Sequence, residues 1–166
     1  MWPCVSSVIE QHLMSNDRSY PTRPIIGVGV VVLRGEEVLL IKRGKPPRIG
    51  QWSLPGGMQE LGETAAEAAH REVLEETGIK IKLGQVLDII DIIRPDDDGR
   101  IETHYTLIDY AAEYASGIPR AGDDALHAEF IALSEIKKLG MWDETIRVIE
   151  LATELATELA AKKPKN

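Results

Sequence analysis

The sequence predicts an α/β fold of the α+β kind, a mixed sheet carrying helices, and three observations support this. Two pairs of β-branched, apolar runs read as strands, a helix between them is marked at both ends by cap residues, and the chain finishes in an amphipathic helical stretch. At 166 residues, 43% of them hydrophobic, the chain suits one domain with a substantial core. We expect a short arm over residues 1–22 and a single domain over residues 23–163 that includes the C-terminal helix.

Residues 1–24 mix Pro, Ser, Asn and Arg around a small apolar patch of Val8, Ile9 and Leu13, without a sustained period. Patterned sequence begins soon after Met14, which points to Met14 rather than Met1 as the natural start. Ile25 to Leu33 and Glu37 to Arg43 flank Arg34-Gly35-Glu36 and read as strand, turn and strand. Gly27 and Gly29 look like half of a dinucleotide fingerprint, but no helix follows and the third glycine is missing. Gly44 to Gln51, rich in Gly, Pro and cations, reads as an exposed loop, and Trp52-Ser53-Leu54-Pro55-Gly56-Gly57 then leads sharply toward a helix.

That helix is framed from Ala65 to Thr77 by a T-x-x-E capping box, Thr64 with Glu67, and by Gly78 at the C′ position. Ile79 to Ile93 and Ile101 to Tyr114, joined by the turn-rich Arg94 to Arg100, suggest a long hairpin. After a Gly-, Pro- and Asp-containing loop from Ala115 to Ala125, His127 to Leu133 reads as another strand, and Ser134 to Lys138 as one helical turn capped by Ser134. From Asp143 to Lys163, Val148, Leu151, Leu155 and Leu159 fall on one side and Glu150, Glu154 and Glu158 on another, as in an amphipathic helix packed on a core.

Charge and composition exclude several function classes. A net charge of -8 and a pI of about 5.0 speak against a broad footprint for nucleic acid or an anionic membrane, so a phosphate ligand needs local cations or bound metal. The single cysteine, Cys4, allows no intramolecular disulfide and no cysteine-rich zinc site. The longest apolar run, Ile25 to Leu33, is too short to span a bilayer, and no basic stretch precedes a signal-like segment. A soluble, cytoplasmic protein is the expectation.

The chemistry lies in Gly57-x5-Glu63-x7-Arg71-Glu72-Val73-x-Glu75-Glu76-x-Gly78-Ile79. On a helix advancing about 100° per residue, Glu72, Glu75 and Glu76 share an arc of about 100°. Like charges at that spacing repel, and the helix C-terminus disfavours them further. A hard divalent cation such as Mg²⁺ reverses the sign by taking carboxylate oxygens as ligands. A solvated acidic face is the plain explanation for Glu75-Glu76 taken alone, and the complete spacing displaces it.

Ala65 and Ala68 project toward the acidic side, where small residues let the preceding loop approach, while Ala66, Ala69, Val73 and Leu74 are expected to anchor the helix to a sheet. Gly57 permits backbone geometry closed to other residues and offers its carbonyl as a ligand. Arg71 suits a structural cation paired with Glu63 or another carboxylate. Glu67 is accounted for by capping, and Glu60 is left open between facing metal and facing water.

This segment resembles the Nudix box, and the similarity to Nudix hydrolases extends from about Arg23 to Leu139. The stretches Gly27 to Leu33, Gly50 to Gly57, His104 to Tyr110 and Ala121 to Ala125 resemble a small ADP-ribose pyrophosphatase-like subgroup. The resemblance implies an α/β/α sandwich around a mixed sheet, Mg²⁺ or Mn²⁺ held by the box helix, and hydrolysis of a nucleoside diphosphate linked to another moiety. It implies Glu72, Glu75 and Glu76 as metal ligands, Glu63 and Arg71 as the supporting pair, and a further loop acid for which Asp124 has the right spacing, with Asp123 and Glu129 as competitors. Phe130 stands where an indole is common in relatives.

The mechanism expected is in-line attack of water on one phosphorus of the pyrophosphate, with metal ions neutralising charge and a box glutamate or the loop acid as base. Lys42, Arg43, Lys45 and Arg48 flank the approach to the box as candidate substrate cations, with a solvated turn as their alternative. Trp52, Tyr105 and His104 are either core residues or contacts to a base or ribose. Asp96 to Asp98 suggest a Ca²⁺ loop, but no later ligand pattern completes it. Two rival functions use the same features: hydrolysis of oxidised or noncanonical nucleoside triphosphates, and a ligand sensor without catalysis. The expected partner is a small nucleotide, and the C-terminal helix or the arm is expected to serve a homodimer.

Overall fold

A computed structural model describes residues 18–46, 48–122 and 124–162. The expectations for Val8, Ile9, Leu13, Met14 and Asp123 lie outside the described residues.

The order of elements is β1 (Ile25–Arg34), β2 (Glu37–Arg43), β3 (Trp52–Ser53), β4 (Gly56–Met58), α1 (Ala65–Thr77), β5 (Lys80–Pro95), β6 (Ile101–Ser116), β7 (Ala125–Ala132), a 3-10 turn (Leu133–Lys138) and α2 (Asp143–Lys162). The seven strands form one mixed sheet. β1 runs parallel to β6 from Ile25 against Tyr105 to Leu33 against Glu113, and every other pairing is antiparallel. β1 and β2 pair only beside their turn, at Leu33 with Val38 and Arg34 with Glu37. Beyond it they part, β2 pairing along its length with β7. The segment that follows fills the fork: β3 joins the end of β2, and β4 joins the start of β1.

The alternation of β1 explains the layering. Side chains alternate across a strand with a period of two. Val28, Val30 and Val32 therefore face α1 and pack with Ala68, Ala69 and Val73, whereas Val31 faces α2 with Val148, Ile149 and Ala152. Helices thus cover both faces of a mixed sheet, the α/β/α sandwich expected. Gly27 and Gly29 lie within β1, where an added Cβ would stand 2.8 Å from Leu107 and 2.2 Å from the Asp109 carboxylate. Their role is close packing within the sheet, consistent with discounting a dinucleotide loop.

Three local readings are corrected. The segment Trp52 to Gly57 is not a plain lead-in; it holds two short strands that attach it to β1 and β2. Leu74 does not anchor α1, because it is 46% exposed and the buried stripe is Ala68, Ala69, Val73, Glu76 and Thr77. The turn after β7 begins at Leu133 and is not capped by Ser134: Ala132 holds the cap position without a side-chain hydrogen bond. Among the described residues, no helix is long and apolar enough to cross a membrane.

Candidate active site

Helix α1 is fixed at both ends before any ligand is considered. Thr64 Oγ1 accepts from the Glu67 N–H at 3.2 Å, and Glu67 Oε2 accepts from the Thr64 N–H at 2.7 Å. A cap of this kind stabilises a helix by about 1 kcal/mol. At the other end Gly78 adopts φ 70°, and the loop before β7 satisfies two terminal carbonyls: Arg120 N–H donates to Thr77 O at 3.0 Å and Gly122 N–H to Glu76 O at 2.9 Å. A Cβ on Gly122 would lie 1.8 Å from Glu75 O, so this buttress requires glycine. The composition of Ala115 to Ala125 marks a loop, with Asp124 as its candidate acid, and carries no sign that Gly122 closes the helix end.

Arg71 organises the acids. Its Nη2 donates to Glu63 Oε1 at 2.7 Å and to the Met58 carbonyl at 2.9 Å, while Nη1 donates to Glu72 Oε1 at 2.8 Å and Glu75 Oε2 at 3.3 Å. The guanidinium fork therefore joins the last residue of β4, the loop before α1 and two turns of the helix. Hydrogen bonds from Arg71 hold the Glu63 carboxyl below the usual range. In return they hold Arg71 firmly protonated.

Glu72 and Glu76 experience the opposite environment. Burial pushes the Glu72 carboxyl up, although Arg71 opposes the shift. Burial pushes Glu76 up to about 7, with the charges of Glu72 and Asp124 adding to it and the Gly56 N–H and Arg43 opposing it. Gly56 N–H donates to Glu76 Oε2 at 2.8 Å. Glu72 lies so close to Gly57 that a Cβ there would stand 2.3 Å from its Oε1. The double glycine thus lies directly against both carboxylates. Gly56 is also forced by its own strand: φ is 155° and a Cβ would meet Val28 O at 2.1 Å.

The structure brings Glu63, Arg71, Glu72, Glu75, Glu76 and Gly57 together, with Asp124 and Arg43 near enough for their charges to act on Glu76. Asp124 is ion-paired with Lys45, and its carbonyl accepts from Gly44 N–H at 2.9 Å. Glu129 is instead beside His127 at 3.4 Å, and Glu60 is exposed. Arg48 and Trp52 lie toward α2: the Arg48 guanidinium sits 5.4 Å from the Trp142 ring centre, and Trp52 packs against the core on that face with its ring 5.9 Å from His127. His104 and Tyr105 are on β6 opposite Ile93 and Ile92. Asp96 organises the β5–β6 turn, accepting from the Asp98 and Arg100 N–H groups at 3.0 and 2.9 Å.

As a metal centre the donor chemistry fits. Two poorly solvated carboxylates and an exposed third stand on one helix face beside a glycine backbone, an arrangement that a hard cation would stabilise. In the present rotamers Glu72 and Glu75 both face Arg71, and no three acidic, His or Cys side chains converge among the described residues. A cation would compete with a single guanidinium nitrogen, Nη1, leaving Arg71 its grip on Glu63 and Met58.

Comparison with known proteins agrees with this geometry. Residues 23–152 match the model of the NUDIX domain. An ADP-ribose pyrophosphatase of Methanocaldococcus jannaschii is 36% identical over 139 residues, covering 84% of this chain and 79% of that protein. A putative 8-oxo-dGTP diphosphatase 2 of Mycobacterium tuberculosis is 37% identical over 99 residues, covering 59% and 67% respectively. The crystal structure of a MutT NUDIX hydrolase from Burkholderia pseudomallei superposes with a TM-score of 0.67 at 30% identity, covering 78% of this chain and 98% of that one. The match spans both core-forming faces and the whole acidic helix, and the chain belongs to the Nudix hydrolase family as a pyrophosphohydrolase.

Proposed function

We propose that the protein hydrolyses the pyrophosphate bond of a nucleoside diphosphate linked to another moiety, with ADP-ribose as the leading substrate and Mg²⁺, or Mn²⁺ in its place, as the ion. The observation that carries the reading is the pair Glu72 and Glu76, poorly solvated and set against Gly57 and Gly56. The ADP-ribose assignment rests on the relative from Methanocaldococcus jannaschii, whose match spans most of both chains.

Glu72, Glu75, Glu76 and the Gly57 carbonyl would hold the cation. When bound, it neutralises pyrophosphate charge and acidifies water. Glu63 and Arg71 keep the loop and the helix in register, so that Gly57 stays against the acids. A box glutamate or the loop acid Asp124, whose charge reaches Glu76, is the candidate to accept a proton. The charge of Arg43 reaches Glu76, which makes it the candidate cation for substrate phosphate.

A second reading is supported by the Mycobacterium tuberculosis relative: hydrolysis of an oxidised nucleoside triphosphate. Product analysis separates the two. ADP-ribose yields AMP and ribose 5-phosphate, whereas 8-oxo-dGTP yields a monophosphate and pyrophosphate. Metal-dependent turnover of ADP-ribose at a higher kcat/KM than 8-oxo-dGTP is expected, and the reverse order would displace the first reading.

A further inference from the structure

β5 lies at the edge of the sheet, and among the described residues it pairs with β6 alone. An edge strand presents unpaired N–H and C=O groups, and natural proteins blunt such edges with Lys, Pro or bulges. The stretch from Asp88 to Arg94 has none of these: its register with β6 is unbroken, and the irregularities fall before Asp88 and after Arg94. It is apolar on both faces. Ile90 packs on the core beneath α2, whereas Ile89 and Ile93 project from the opposite face and are 59% and 52% exposed. An open groove of about 540 Å³ follows this same stretch, bordered by Trp142, Glu144 and Arg147. Residues of both alternations line it, so the groove tracks the backbone edge and suits an added strand.

The sequence of the stretch, Asp-Ile-Ile-Asp-Ile-Ile-Arg, says which strand fits, because it is complementary to itself. Antiparallel pairing about a two-fold axis at Asp91 sets Ile89 opposite Ile93, Ile90 opposite Ile92 and Asp88 opposite Arg94 of the second copy, each pair on one face. Centring the axis on Ile90 or Ile92 would set Asp91 against an isoleucine instead. Charge agrees with the first register. Arg147 is shared by Asp88 and by Glu144, the latter at 2.6 Å, which leaves one negative charge in excess there. The exposed Arg94 of the second copy balances it. The cost is at the centre, where Asp91 faces its own copy; its Oδ1 is bound on the β6 side, accepting from Thr106 Oγ1 at 2.7 Å.

We propose that the β5 edge is the docking surface for a second copy of this chain, joining two sheets into one across the stretch from Asp88 to Arg94. The interface is then on the sheet and not on the C-terminal helix or the arm. It goes beyond the proposed hydrolysis and holds whichever nucleotide is the substrate.

The test is sedimentation velocity on the full chain over a range of concentrations, with crosslinking to read the register. Wild-type protein is expected to dimerise. Ile93→Lys changes a side chain that is already half exposed and is expected to weaken the dimer at least about tenfold; should it not fold, Arg94→Glu, which turns the end pairs repulsive, takes its place. Asp91→Asn removes the like-charge pair and is expected to tighten the dimer roughly two- to fivefold. Opposed residues of antiparallel strands lie about 4.5–5.5 Å apart at Cα, within disulfide reach. Asp91→Cys in a Cys4→Ser background is therefore expected to link two chains on mild oxidation, and Leu159→Cys, exposed on α2, is expected not to. The proposal is overturned by a wild type that stays monomeric, by a dimer indifferent to Ile93→Lys, by an Asp91→Asn dimer no tighter than wild type, or by linkage through Leu159→Cys and not Asp91→Cys.

Discussion

Arg71 grips Glu63 with two guanidinium nitrogens, Nη2 at 2.7 Å and Nε at 3.1 Å from the same oxygen, while its third nitrogen faces Glu72 and Glu75. A lysine keeps the charge but presents one nitrogen to acceptors that lie in several directions. Arg71→Lys is therefore expected to lower kcat about 10- to 100-fold and to lower Tm, with a smaller effect on KM. Steady-state kinetics with scanning calorimetry measure this, and a lysine variant with wild-type kcat would remove Arg71 from the supporting role.

The two glycines ahead of the helix should fail in different ways. A Cβ at Gly56 collides with the Val28 carbonyl at 2.1 Å, and its φ of 155° is unfavourable for other residues. Backbone cannot step aside cheaply, so Gly56→Ala is expected to destabilise by about 1–3 kcal/mol. A Cβ at Gly57 meets only the end of the Glu72 side chain, which can swing away. Gly57→Ala should therefore retain most of its stability and lose activity at least about tenfold, because Glu72 is displaced. Urea unfolding and turnover measured on both variants test the contrast, and equal destabilisation by the two alanines would contradict it.

What was legible in the sequence follows from how local each signal is. Thr64, Glu67 and Gly78 act within one helix, and the predicted limits Ala65 and Thr77 match the structure. Alternation in β1 and the turn residues between β5 and β6 likewise act over short spans. The contacts that complete the candidate site do not. Gly122 supports the end of α1 from 46 residues beyond Glu76, and Gly56 N–H meets the Glu76 carboxylate from 20 residues before it. Leu74 was misassigned for a related reason: helical periodicity gives a face, and only the sheet beneath decides which edge of that face is covered.

Glu75 separates metal chemistry from folding. Its side chain is 62% exposed and contributes one long contact to Arg71, so the fold hardly depends on its charge. Glu75→Gln is expected to leave Tm within about 2 °C of wild type, as exposed substitutions usually do, and to reduce kcat by about two orders of magnitude or more. Its requirement for Mg²⁺ should rise in parallel, read from the ion concentration giving half-maximal rate. Wild-type turnover in this variant would sink the ligand assignment.

Asp109 makes the stability of the protein depend on pH in a defined direction. Its folded-state pKa of about 6 exceeds the ordinary 3.8, so the folded chain holds this proton more tightly than the unfolded one. Stability from this group is fully present below about pH 3.8 and is lost as the pH rises through 6, amounting to about 3 kcal/mol at most. Asparagine carries no such charge. Relative to wild type, Asp109→Asn should gain about 1–3 kcal/mol between pH 4 and 7.5, over and above any constant offset from its amide. Urea unfolding across that range gives the two slopes, and parallel curves would show that Asp109 is not buried as an ion.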